Sequence, residues 1–214
     1  MGRRTLKKPN PSLDVTGRLF NVNDLSLTWN PEKLFGRNAP LEVEVGSGKG
    51  LFIRTAAAAR PDTNFLGIEL AWKYAHFSAA ELVKRDIENA MMLAGDGLKV
   101  FGEFIPDNSL AAVHVYFPDP WWKRRHRVRR VLREPLMRDI QRTLLPDGRL
   151  HFWTDVEEYF QASLKLLDQA TDLEGPIEVQ ETAPEHHMDY RTHFERRTRM
   201  NNEPVYRAEF RKRP

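Results

Sequence analysis

The chain reads as an α/β protein: a mostly parallel central sheet of about seven strands with helices on both faces. Short apolar runs alternate with helix-length segments from Leu41 onward. One run, Leu110–Tyr116 (LAAVHVY), is almost wholly apolar, as a strand covered on both faces must be. Each of five strand candidates ends in a polar landmark: the stretch Glu44–Gly50, then Glu69, Asp96, Asp119 and Asp155. Open parallel sheets bind ligands at strand carboxyl ends, where strand order reverses, so these residues are expected on one functional rim.

Residues 1–38 carry Pro, Asn, Gly and weak periodicity, which predicts a flexible basic arm ahead of a single domain over 39–214. LEVEV (41–45) alternates as a strand, and a glycine turn leads into an Ala-rich helix, Leu51–Arg60. NFLGIEL (64–70) is the second strand, followed by a helix from Ala71 to Glu88. AMMLA (90–94) is the third, ending at the turn Gly95-Asp96-Gly97, and LAAVHVY is the fourth. A helix over Arg133–Leu145 stops at Pro146-Asp147-Gly148; GRLHFWT (148–154) is the fifth strand, with a helix Glu157–Ala170 behind it. Two weaker strands are expected near Ile177–Glu181 and Val205–Arg211.

The 214 residues fit one domain, and 41% apolar residues suffice for a core. No run of 18 apolar residues appears, and the basic start MGRRTLKKPNPS has no apolar segment behind it, so neither a membrane span nor a secretory signal is expected. The absence of cysteine excludes disulfides and thiolate metal sites and allows a reducing, cytoplasmic location. Adjacent His186 and His187 lack the helical spacing of a zinc pair, so no metal is expected. GSGKG is neither a P-loop nor a nucleophile elbow. Net charge is only +3, but Lys and Arg gather at Arg3–Lys8, Lys123–Arg133 and Arg191–Arg213. Such clusters suit a polyanionic partner, or form solvated helix faces.

Gly46, Gly48 and Gly50 allow a tight turn and close approach of a ligand, or merely turn a corner. Glu69 lies 23 residues past Gly46, where an acid can accept from both ribose hydroxyls. Glu44, two residues before Gly46, would repel a pyrophosphate but suits a phosphate-free cationic ligand such as S-adenosylmethionine. Asp96 either accepts from the adenine amino group or simply forms a turn. The pattern resembles motif I of class I methyltransferases, which implies their Rossmann-like fold. It lacks the Tyr–Lys pair, four apart, of short-chain dehydrogenases.

The segment VYFPDPWWKRRHRVRRV (115–131) holds Asp119 between two prolines, then two tryptophans, then six Lys or Arg in eight residues. Pro118 and Pro120 stiffen the turn and aim one carboxylate. Trp121 and Trp122 stack on an unpaired base or close the core. The basic run suits a phosphate backbone rather than single bases.

FPDPWWKRRHRVRRVL resembles the signature of bacterial tRNA (guanine-N7-)-methyltransferases, and RTHFERR (191–197) resembles that family's late T-x-F-E motif. The similarity extends over Leu41–Phe210. It implies methyl transfer from S-adenosylmethionine to N7 of a tRNA guanosine, at position 46 in the variable loop. By that resemblance Glu44, Gly46, Gly48, Glu69, Asp96 and Asp119 bind the cofactor, with Asp119 also in catalysis. Lys123, Asp155, Thr192, His193, Phe194 and Glu195 would contact the guanosine, and Arg125, His126, Arg127, Val128, Arg129 and Arg130 the RNA. Trp122 stands where a proline or histidine is usual, and RRTRMNNEP lacks the expected glycines.

Guanine N7 carries a free lone pair, so the expected chemistry is alignment for in-line displacement and stabilisation of the cationic purine. Asp155 or Glu195 would accept from N1–H and the exocyclic amine, which rejects adenine. A non-catalytic RNA-binding protein accounts for the basic clusters but not for the five aligned acids; a small-molecule methyltransferase leaves residues 123–133 unexplained. Monomer and homodimer are both compatible with the sequence.

Overall fold

A computed structural model describes residues 12–25, 29–121, 123–180 and 190–214; Trp122, His186, His187 and the basic residues Arg3–Lys8 lie outside it. In chain order the strands are β1 (Leu19–Asn21), β2 (Leu41–Val45), β3 (Asn64–Glu69), β4 (Ala90–Ala94), β5 (Leu110–Tyr116), β6 (Leu144–Thr154), β7 (Glu174–Ile177) and β8 (Tyr206–Arg211). The helices are α1 (Pro31–Phe35), α2 (Leu51–Ala59), α3 (Trp72–Val83), α4 (Gly97–Glu103), α5 (Glu134–Thr143), α6 (Glu157–Ala170) and α7 (His193–Met200). A six-residue 3-10 helix spans Arg124–Arg129.

One eight-stranded sheet runs in the order β1-β4-β3-β2-β5-β6-β8-β7. All pairings are parallel except those of β8 with β6 and with β7. Strand order reverses between β2 and β5, the kind of switch point at which open parallel sheets bind ligands. This is the Rossmann-like α/β architecture, with one strand more than expected.

Strand alternation separates two cores. Val43, Leu66, Val113, Val115, Leu150 and Phe152 face one side, where Phe101, Leu136, Ile140 and Tyr159 from α4, α5 and α6 meet them. The other face packs Phe65, Met92, Tyr116 and Trp153 against Phe52 and Ile53 of α2 and Leu82 of α3. That second face also carries a buried polar chain. His114 Nε2 lies 2.8 Å from Glu42 Oε2 and its Nδ1 2.9 Å from the Tyr116 hydroxyl, while Arg60 Nη2 donates to Glu42 Oε2 at 2.8 Å.

The expected N-terminal arm is corrected over its described part. Leu19–Asn21 pairs with Met92–Ala94, and Phe20, Val22, Leu25, Trp29, Leu34 and Phe35 pack on the core. Their irregular spacing along the chain leaves no periodicity. α1 is delimited locally: Asn30 Oδ1 accepts from Lys33 N at 3.1 Å, Pro31 opens the helix and Gly36 closes it at φ 67°.

The Pro-Asp-Gly stop after α5 is also corrected, because β6 begins before it. Leu110 pairs with Leu144, and the next pair is Ala112 with Arg149, so residues 146–148 form a bulge within the strand. A Cβ on Gly148 would sit 2.8 Å from the Leu145 carbonyl oxygen, which fixes glycine there. β7 starts three residues earlier than expected, and α4 and α7 were not anticipated as helices.

Candidate active site

The glycine turn leaves β2 through three left-handed residues, Gly46 (φ 82°), Gly48 (φ 55°) and Gly50 (φ 65°). Gly46 N and Ser47 N donate to the Ile68 carbonyl at 2.8 and 3.1 Å. Glu69 ties the turn down from β3: its Oε2 accepts from Gly48 N and its Oε1 from Ala71 N, both at 2.9 Å. One carboxylate therefore joins the turn to the start of α3, and each oxygen keeps a lone pair for a ligand. A Cβ built on Gly46 or Gly48 meets nothing within 4 Å, whereas one on Gly50 strikes Ser78 at 2.8 Å. The first two glycines border open space; the third is required by helix packing.

Glu44 stands beneath this turn. It is 2% exposed, and its Oε2 has no hydrogen-bond partner among the described residues. Burial, helped by the nearby Glu69 charge, pushes its carboxyl up to about 8. A buried carboxyl with free lone pairs beside an open turn fits a cationic ligand group. Asp96 ends β4 and is exposed; its Oδ1 caps α4 by accepting from Leu98 N at 3.0 Å. The turn-forming reading of Asp96 accounts for that oxygen.

Beyond β5, the backbone of Phe117 (φ 49°) and Trp121 (φ 45°) is left-handed. Such conformations cost aromatic residues about 1–3 kcal/mol each and persist only under external support. That support is visible: Phe117 N donates to the Trp153 carbonyl at 2.8 Å, and Arg130 Nε donates to the Pro120 carbonyl at 2.7 Å. The Phe117 ring lies 5.2 Å from Phe194, while Trp121 meets His126 edge-on at 5.8 Å and Arg129 at 5.2 Å. Asp119 is exposed at the tip of this braced turn.

Asp155 follows β6, half-buried, and burial followed by the Glu203 charge raises its carboxyl against the pull of Arg197. The late motif supplies the start of α7. Thr192 Oγ1 accepts from Glu195 N at 2.9 Å, and Glu195 Oε2 accepts from Arg191 N at 2.7 Å. This is a variant of the capping box, with the return bond one residue before the cap. Glu195 is 2% exposed and its Oε1 faces Arg199 and Arg207 at 3.4 and 3.6 Å. Glu195, expected as a base-reading carboxylate, is thus held by Arg191 N, Arg199 and Arg207 at the start of α7. His193 and Phe194 stand exposed on the same turn.

Lys123, Arg125 and Arg129 are exposed, as an RNA-facing segment requires; the side chains of Arg127 and Val128 lie outside the description. Arg130 differs: its Nε donates to the Pro120 carbonyl and its guanidinium lies 4.6 Å from the Tyr159 ring. Sequence reasoning missed Arg191, whose guanidinium faces the rings of Trp153, Phe52 and Tyr116 at 5.1, 5.8 and 5.9 Å. It joins the late motif to the second core; its position beside Thr192 was the available signal. Among the described residues no His, Asp or Glu group could hold a metal ion, and no helix is long and apolar enough to cross a membrane.

A family profile described as putative methyltransferase matches residues 38–208. A tRNA (guanine-N(7)-)-methyltransferase of Rhodopirellula baltica is 50% identical, with 100% of this chain and 81% of that protein covered. One from Alcanivorax borkumensis is 35% identical, covering 99% and 88%. The crystal structure of the aminoglycoside resistance methyltransferase NpmB1 superposes with TM-score 0.58 over 86% of this chain and 95% of that one, at 19% identity, a likeness of fold. A matched profile over most of the domain, and relatives aligned nearly end to end, agree with the acid-lined rim: the chain belongs to the tRNA (guanine-N(7)-)-methyltransferase family.

Proposed function

We propose that this chain methylates N7 of the guanosine at position 46 of tRNA, with Glu44, Gly46, Gly48 and Glu69 holding the cofactor and Asp119 facing the reacting centre. Membership of the family carries guanine-N7 transfer in tRNA, with S-adenosylmethionine as methyl donor. The observation that supports the cofactor assignment is the buried, unpartnered Glu44 Oε2 beside open space at Gly46 and Gly48. A sulfonium and an ammonium give that carboxylate the counter-charge it lacks, while the glycine turn leaves room for the nucleoside.

S-adenosylmethionine supplies an electrophilic methyl group when bound. The chain's own residues bind, orient and complement charge. No proton need leave N7 before attack, so no general base is required, and the rate gain comes from alignment and electrostatic stabilisation. Asp119, on a turn locked by two prolines, Arg130 and Phe117, faces the positive charge that develops on the purine. With Glu195 committed to Arg191, Arg199 and Arg207, Asp155 becomes the carboxylate that accepts from N1–H and the exocyclic amine. Thr192 Oγ1 accepts from the backbone yet keeps its own proton to donate. Lys123, Arg125 and Arg129 meet backbone phosphates.

Transfer of labelled methyl to unmodified tRNA, with the product nucleoside and its position identified by mass spectrometry, tests this reading. N7-methylguanosine at position 46 is expected. A product at another guanosine overturns the position, and no transfer overturns the activity.

A further inference from the structure

A second cleft, of about 240 Å³, lies between the start of α5 and the N-terminal half of α6. Both helices follow parallel strands, so both begin at the carboxyl-end rim that carries Asp119 and Asp155. Arg130, Arg133, Tyr159 and Ser163 line the cleft together with aliphatic Leu132 and Leu166. Ser163 is 2% exposed and Tyr159 1%. Yet Ser163 Oγ and the buried Nε of Arg133 have no hydrogen-bond partner among the described residues, and the Tyr159 hydroxyl meets the Leu132 amide while keeping its own proton to donate.

Two unsatisfied polar atoms around one space are rare in folded proteins, because buried polar groups normally find partners, and the Tyr159 hydroxyl adds a third donor beside them. All three can donate. Arg133 is a permanent cation, and burial pushes the Tyr159 hydroxyl up to about 12, against the Leu132 amide and Arg130, so it keeps its proton. The α5 N-terminus has no side-chain cap from Arg133, and since Pro135 carries no amide hydrogen it adds at most the Glu134 and Leu136 amides. The one acid on the cleft, Glu134, is exposed and paired with Arg138 at 2.9 Å. Two guanidinium groups, two hydroxyls and a helix start together call for an acceptor-rich anion.

We propose that this cleft is a binding site for one phosphate group, supplied in the working enzyme by the RNA backbone. Continuity favours RNA over a free anion. Arg130 belongs both to the cleft and to the Pro120 brace, and the exposed Lys123, Arg125 and Arg129 lead along the 3-10 helix toward it. A phosphate held there would anchor the substrate chain beside the reacting turn. This assignment rests on the tRNA-directed reading above.

The test is tRNA affinity against salt concentration for the wild-type chain, Arg133→Gln and Ser163→Ala, with S-adenosylmethionine affinity and thermal melting as controls. Arg133→Gln should weaken tRNA binding about tenfold and lower the slope of log K against log salt by roughly one contact. Ser163→Ala should weaken binding about threefold without changing the slope, since it removes a neutral donor. Cofactor affinity should be unchanged in both. Inorganic phosphate, at matched ionic strength with chloride, should compete with tRNA on the wild type and lose that advantage in Ser163→Ala. If wild-type protein binds tRNA and both variants match it, the cleft assignment falls alone. Phosphate-dependent stabilisation lost in the variants with tRNA affinity intact would mean a free-anion site and overturn the RNA assignment. A wild-type chain with no affinity for tRNA would sink the functional reading and this one together.

Discussion

Glu42 and Glu44 sit two residues apart on β2, point to the same face and are both buried, yet their surroundings drive them in opposite directions. Burial works against ionisation of Glu42, but hydrogen bonds from His114 and Arg60 outweigh it and hold its carboxyl at about 2. Glu44 meets neither, and burial with the Glu69 charge pushes it to about 8. Burial alone therefore decides nothing; the partner does. The inner half of the strand is a finished structural pair, and the outer half is a socket awaiting a charge. The same division recurs at the late motif and the proline turn, where Glu195 is consumed by arginines while Asp119 stays exposed.

The comparison breaks most visibly in stability. Glu42→Ala should cost about 3 kcal/mol by leaving His114 and Arg60 without their acceptor, read as a lower midpoint in urea. Glu44→Gln should leave that midpoint unchanged or raise it. Equal losses would erase the distinction. In turnover the order reverses: Asp119→Ala should lower kcat on the order of 10²–10³-fold with tRNA affinity retained, whereas Glu195→Gln should act chiefly through destabilised α7. Near-normal turnover of Asp119→Ala would remove that carboxylate from the chemistry.

A third test uses pH. Below about 8 the free enzyme holds a proton on Glu44, and a cationic ligand favours the ionised form. S-adenosylmethionine affinity should therefore rise with pH, by up to about tenfold per unit, and level off above about 8, with protons released on binding at neutral pH. Calorimetry in buffers of different ionisation enthalpy measures that release, which Glu44→Gln should abolish. The Glu42 region should respond only to acid. His114, held at about 3 by burial, and Glu42, at about 2, both bind fewer protons folded than unfolded. Stability should thus fall as pH drops below about 6.5 and keep falling toward 2. The smallest expected effect is Tyr116→Phe, about 1 kcal/mol for its bond to His114, seen as a shift of a few degrees in Tm.

Much of the sheet and the site was legible because strand alternation and rim acids are local signals. β2 to β6 follow from LEVEV, NFLGIEL, AMMLA, LAAVHVY and GRLHFWT, and the polar residue ending each lies at the carboxyl end of its strand. β1 was not legible because three residues carry no period, and its place is set by distant Met92 and Leu93. α4 was hidden by its start, where Gly-Asp-Gly reads as a turn although Asp96 is also an N-cap. α7 shows a different obstacle. T-x-F-E matches a family pattern that implies contacts to a base, and the same Thr-x-x-Glu spacing is also a helix-start signal. The unpartnered state of Glu44 has no sequence signature, since it depends on what other strands do not place beside it.

β8 is the last element in chain order but lies inside the sheet, between β6 and β7. During synthesis the preceding strands can assemble early, whereas β6 and β7 each keep a bare edge until residues 206–211 have left the ribosome. A nascent or clipped chain ending before Tyr206 would leave β6 and β7 without their shared partner, and unpaired strand edges favour pairing between copies.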